Sequence, residues 1–103
     1  MNRIIEELER LFQHNNIPVF GIAESKGLEN ETKGHRPSDM LETASRILCF
    51  GIPVPRGLLK DHNRLNANYW RLASIYYQKI DAISIQAAVI IENHNETAAP
   101  VLS

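Results

Sequence analysis

Cysteine is almost missing from this chain: one stands among 103 residues. Cys49 alone closes no internal disulfide and supplies neither the thiolates of a structural zinc nor those of an iron–sulfur cluster. So little cysteine suits a reducing compartment, and the cytoplasm is the expected location. Within Ile47-Leu-Cys-Phe50 the thiol is expected to be a buried packing group. Two glycosylation sequons, Asn30-Glu-Thr32 and Asn95-Glu-Thr97, then read as chance matches.

An excess of one charge is also missing. Eleven Lys and Arg face twelve Asp and Glu, for a formal charge of −1, with the signs interspersed. No basic stripe invites nucleic acid or an anionic membrane. No apolar run reaches the roughly 18 residues of a membrane span, and the opening MNRIIEELERLF is acidic and helical, unlike a secretory signal.

Catalytic signatures are absent too. There is no G-x-S-x-G elbow and no phosphate loop. Gly51-Ile-Pro53 lacks the later glycines of a dinucleotide fingerprint. Glu6, Glu7 and Glu9 lie on a solvated helical face, where no acid/base pair can be singled out. None of His14, His35, His62 and His94 pairs with another at i, i+4, and no Cys or carboxylate stands beside them at ligand spacing. His14 and His94 are expected to end helices, where an imidazole favours the local dipole.

What is there is a hydrophobic fraction of 44%, enough for one domain with a core that buries roughly 65% of the unfolded surface. Ile4, Ile5, Leu8, Leu11 and Phe12 recur at helical spacing, with Glu6, Glu7, Glu9 and Arg10 opposite. His14-Asn-Asn16 supplies a left-handed cap, and Pro18 prevents the helix from resuming. Val19 to Ala23 reads as a short buried strand. The polar, Gly-punctuated residues 24–36 form a loop. A short helix is expected over Asp39 to Ala44, opened by Pro37 and Ser38, with Ser38 as cap and Asp39 at the positive end of the dipole. Arg46 to Ile52, apolar at consecutive positions, predicts a strand covered on both faces.

The longest element is predicted from Asn68 to His94. Tyr69, Leu72, Ala73, Tyr76, Ile80, Ile83, Ala87, Ile90 and Ile91 trace one stripe along it. Asn93-His-Asn95 closes it, and Thr97 to Leu102 reads as a third strand. The resulting expectation is an α/β (α+β) sandwich, a short sheet of about three strands with the long helix as a crossover. Aromatic residues cluster with Arg71 in Asn68-Tyr-Trp-Arg-Leu-Ala-Ser-Ile-Tyr-Tyr77. They read either as a core-facing helix with Tyr hydroxyls at the surface or as a wall for a flat cofactor or a partner subunit.

Several segments together resemble a known family. His35-Arg-Pro-Ser-Asp-Met-Leu41 followed by Ala44-Ser-Arg-Ile-Leu-Cys-Phe-Gly-Ile-Pro53 is similar to the amino-terminal part of epoxyqueuosine reductase and its iron–sulfur relatives. There, a P-x-x-L-L-P-G-A-[KR]-S-V-I-V-x-G-L-P segment leads into a long helix. Tyr76-Tyr-Gln-Lys-Ile-Asp81 matches that helix's Y-x-x-x-L-D. Ile91-Glu-Asn-His-Asn-Glu-Thr-Ala-Ala-Pro-Val101 looks like the family's L-E-x-x-G-x-x-A-x-P-V. The likeness covers about residues 15 to 103. Glu42-Thr43 replaces the family's Pro-Gly, and Asn95 replaces a helix-ending Gly.

The resemblance implies a nitroreductase-like fold that holds a corrinoid. In relatives the chain continues into a Gly-rich segment, an acidic catalytic position and clustered cysteines for two [4Fe–4S] centres. The expectation is therefore an amino-terminal scaffold segment of an iron–sulfur oxidoreductase, silent on its own and with no cofactor of its own. Gly51, Pro53, Arg56 and Tyr76 are the candidate cofactor-binding residues. A glycine at the strand end permits close approach. Prolines at 53 and 55 stiffen the loop, and Arg56 could meet an anionic group. The expected partner is the remainder of a larger chain or, as a homodimer, a second copy. Two alternatives stand beside it: a free-standing interaction or assembly module, and a flavin-binding protein of the same architecture.

Overall fold

A computed structural model describes residues 2–56 and 67–103. The order of elements is helix α1 (Asn2–His14), strand β1 (Val19–Glu24), a 3-10 turn (Ser25–Leu28), helix α2 (Pro37–Met40), strand β2 (Arg46–Gly51) and helix α3 (Ala67–Glu92). It is a mixed α/β fold in two layers, with α1 and α3 packed on one face of a small sheet.

Helix α1 buries the predicted stripe. Leu8 and Phe12 are buried, while Glu6, Glu9 and Arg10 face solvent. Its end is sharp. The Ile17 amide donates to the Phe12 carbonyl at 2.8 Å, and Asn16 takes the left-handed conformation at φ 58°. Asn bears that conformation at lower cost than other residues with a Cβ.

The core is Leu8, Phe12, Ile17, Ile83 and Ala87, flanked by half-buried Phe20, Leu48, Phe50, Ile52 and Ile90. Phe12 is the bridge between the layers, with its ring centroid 4.8 Å from that of Phe20 and 5.3 Å from that of Phe50. Full burial of side chains of this size contributes about 1.5–3 kcal/mol each. The long helix runs close to prediction, and all nine residues of its predicted stripe are buried or half-buried.

The sheet departs from expectation. Among the described residues it has two strands, antiparallel, in the register Val19↔Gly51, Phe20↔Phe50, Gly21↔Cys49, Ile22↔Leu48, Ala23↔Ile47 and Glu24↔Arg46. The predicted third strand over Thr97 to Leu102 carries no strand structure. That segment instead runs back beside α3, where the Ser103 amide and hydroxyl donate to the Asp81 carboxylate at 2.9 and 2.7 Å. Pro100, which has no amide hydrogen, is a poor ladder residue. The long helix is consequently no crossover, because an antiparallel pair needs none.

Nor do the described residues cover the strands on both faces. Pleating sends alternate side chains to opposite sides, and the helices cover the side of Phe20, Leu48 and Phe50 only. Val19 is 66% exposed and Cys49 is exposed, so the expected burial of β1 and of the thiol is corrected. An apolar run signals two-sided burial only when two layers exist to provide it.

The strands are joined through residues 25–45, and Ser25 ties the two ends of this connection together. Ser25 is buried, its amide donates to the Ser45 carbonyl at 3.0 Å, and its hydroxyl donates to the Ala44 carbonyl at 2.9 Å.

Candidate functional site

Of the four residues proposed to contact a cofactor, Gly51 is the last residue of β2 and pairs with Val19. A Cβ at Gly51 would meet nothing within 4 Å, so packing does not require glycine there. Ile52 turns inward onto the core, while Pro53, Val54, Pro55 and Arg56 are exposed. Tyr76 is half-buried on α3. Among the described residues, no hydrogen bond or ion pair joins any two of Gly51, Pro53, Arg56 and Tyr76. Gly57 and His62 lie outside the described residues.

These residues make an edge rather than an enclosure. A corrinoid is a large ring system that needs walls on several sides, and the described residues offer a rim with one cation. A [4Fe–4S] centre takes four thiolates, and Cys49 is a single exposed one. Among the described residues, no group of three His, Cys, Asp or Glu is placed to hold a metal ion. A shallow depression on the outer face of α1 is lined by Glu6, Glu9, Arg10 and Gln13, with no Ser, Cys or His among them.

The aromatic cluster divides. Tyr69 and Tyr76 are half-buried, whereas Trp70 is 59% exposed and its ring meets Tyr69 edge-on, with centroids 5.7 Å apart. The cluster thus turns one side to the protein and one to solvent.

The polar loop carries the strongest electrostatics. Asp39 accepts from the Gly34 amide at 2.7 Å, from the Arg36 amide at 3.1 Å, and from the Arg36 guanidinium at 3.0 Å through both carboxylate oxygens. The Arg36 side chain, joined by these two amides, holds the Asp39 carboxyl well below the usual carboxylate range. Arg36, not Ser38, is the N-cap of α2. Pro37 lies just inside the helix, as its missing amide hydrogen allows. Ser38 instead donates from its hydroxyl to Glu29 at 2.7 Å. Gly34 sits at φ 96°, a conformation that side chains resist. The sequence signal for this arrangement was the carboxylate three residues after the cap.

Two largely exposed apolar surfaces stand out among the described residues. The first is the outer face of the sheet, where Val19, Gly21, Ala23, Ile47, Cys49 and Gly51 alternate away from the helices. None of these six is charged. The second lies along α3, where Ile75, Ile85 and Val89 are 55%, 48% and 51% exposed. The signal for it was a second apolar spacing on a helix read only for its core face. Among the described residues, no helix is long and apolar enough to cross a membrane.

Comparison with protein-family models, with curated proteins and with solved structures gives no significant match.

Proposed function

We propose that this chain is a scaffold segment, not catalytic alone, of an iron–sulfur oxidoreductase related to epoxyqueuosine reductase. In that setting Gly51, Pro53 and Arg56, with Tyr76 beyond them, form one edge of a corrinoid-type pocket whose other walls and reactive groups come from further polypeptide. The observation that carries the reading is the outer face of the sheet: three cross-strand pairs, Val19–Gly51, Gly21–Cys49 and Ala23–Ile47, all uncharged and, apart from half-buried Ile47, exposed. A two-stranded ribbon is marginal without more layers, and an open apolar sheet face normally meets another element. The partner is the remainder of a larger chain, laid over that face.

The test begins with the coding sequence after codon 103. A continuing frame with C-x-x-C-x-x-C-x-x-x-C-P runs, whose product shields Cys49 from thiol reagents and takes up iron after anaerobic reconstitution, supports the reading. An immediate stop codon, or substrate reduction by the 103-residue chain itself, sinks it. A second reading, a free-standing assembly module, is favoured by the exposed apolar residues of α3.

A further inference from the structure

Helix α3 is apolar on two sides. Successive residues of a helix are turned by about 100°, which puts Ile83 and Ala87 on the side packed against α1. Ile75, Gln78, Ala82, Ile85 and Val89 lie across the helix from them, and all five are exposed. They are spaced by three, four, three and four residues, the interval that keeps one seam of a helix facing a parallel or antiparallel partner helix. One-sided packing on the core does not require this second stripe.

Its ends are charged and opposite in sign. Arg71, one turn before Ile75, and Glu92, one turn after Val89, are both exposed on the same side. The Glu92 carboxylate is only lightly engaged, accepting a 3.5 Å bond from the Ala98 amide. A strip that is positive at one end, uncharged and apolar but for Gln78 in the middle, and negative at the other complements itself when turned end for end. A two-fold axis at Ala82 would set Ile75 against Val89 of the second copy and Arg71 beside the second copy's Glu92. Self-complementarity of one patch about a two-fold is the mark of an isologous interface.

We propose that the outer stripe of α3 is a homodimer surface, pairing antiparallel with the same stripe of a second copy. This supplies the partner for the assembly reading above, and it makes no use of the sheet face, so either can fail without the other. The seam from Arg71 to Glu92 is about 32 Å long and about 10 Å wide. That footprint of roughly 300 Å² is small beside the ~800 Å² per partner of a stable complex. The dimer is accordingly of the weak, transient class, and a dissociation constant on the order of 100 μM is the scale to probe.

Sedimentation velocity of the 103-residue chain between 10 μM and 1 mM, as orders of magnitude bracketing that constant, tests the proposal. A concentration-dependent dimer is expected, and Ile85→Lys should return it to monomer with an unchanged circular dichroism spectrum, since Ile85 is exposed. Arg71→Glu and Glu92→Arg should each weaken it about tenfold, and the two together should restore it. In a Cys49→Ala background, mild oxidation should link Ala82→Cys into a covalent dimer while leaving Ile75→Cys monomeric. A monomer throughout, or a dimer indifferent to Ile85→Lys, overturns the surface. Equal cross-linking at both positions means a parallel pair and overturns the geometry.

Discussion

The ring of Phe12 lies 4.8 Å from that of Phe20, tilted by 38°. That contact, with its counterpart to Phe50, joins the helical layer to the sheet. Phe12→Ala should cost about 3–5 kcal/mol, a large share of the 5–15 kcal/mol typical of a domain. Urea denaturation measures it. A loss below about 1 kcal/mol would show that the layers are held together elsewhere.

The chain's two ends meet through His94 and Glu7, 2.5 Å apart and both partly accessible. The bond spans 87 positions of sequence, so it fixes the end of α3 against α1. A double-mutant cycle with Glu7→Gln and His94→Ala should give a coupling of about 0.5–1 kcal/mol, the range of accessible pairs. A coupling near zero would leave the helix pair to hydrophobic packing alone.

The Asp39 cap gives a pH signature. Its carboxyl is lowered by the Arg36 side chain first, then by the Gly34 and Arg36 amides. A lowered folded value means that the capping contribution is whole above the unfolded value near 4. It is lost as the pH falls through the folded one. NMR should show the Gly34 amide keeping its bonded shift down to pH 4 and losing it only in stronger acid. Asp39→Asn should release that amide at neutral pH. A Gly34 amide that shifts around pH 4 to 5 contradicts the geometry.

Backbone strain offers an orthogonal check. Asn16 and Asn95 hold φ values of 58° and 64°. Asn16→Gly should be neutral or stabilising by up to about 1 kcal/mol, while Asn16→Ala should cost about 1 kcal/mol. Thermal melts of the three proteins should therefore rank Gly, Asn, Ala. If Ala outranks Gly, the left-handed turn is absent in solution.

Local features of this fold were the legible ones. Helical spacing placed Leu8 and Phe12 inside and traced Ile83 and Ala87 to the buried side of α3, and the two Asn caps lie at the helix ends where their side chains suggested. Relations between layers were not legible. Ala-Pro-Val-Leu102 has the extended character of a strand, but it pairs with neither open edge of the two-stranded sheet, and the polar end of the segment meets Asp81 instead. The run Ile47 to Phe50 is written as if both sides were covered, and only the packing of Phe20 and Phe50 on Phe12 reveals which side is. The candidate residues Gly51, Pro53, Arg56 and Tyr76 rest on a family resemblance, and their placement depends on how a strand end and a distant helix lie in space, which composition and spacing do not encode.

Because Ser25 ties residues 25 and 45 together at the foot of the hairpin, the polar excursion between them is mechanically separate from the ladder above. Lengthening such a closed detour is cheap, since doubling a flexible loop costs only about 0.6 kcal/mol. The stretch from Lys26 to Thr43 is thus expected to accept exchange or extension while the pairing of Val19 with Gly51 stays in register.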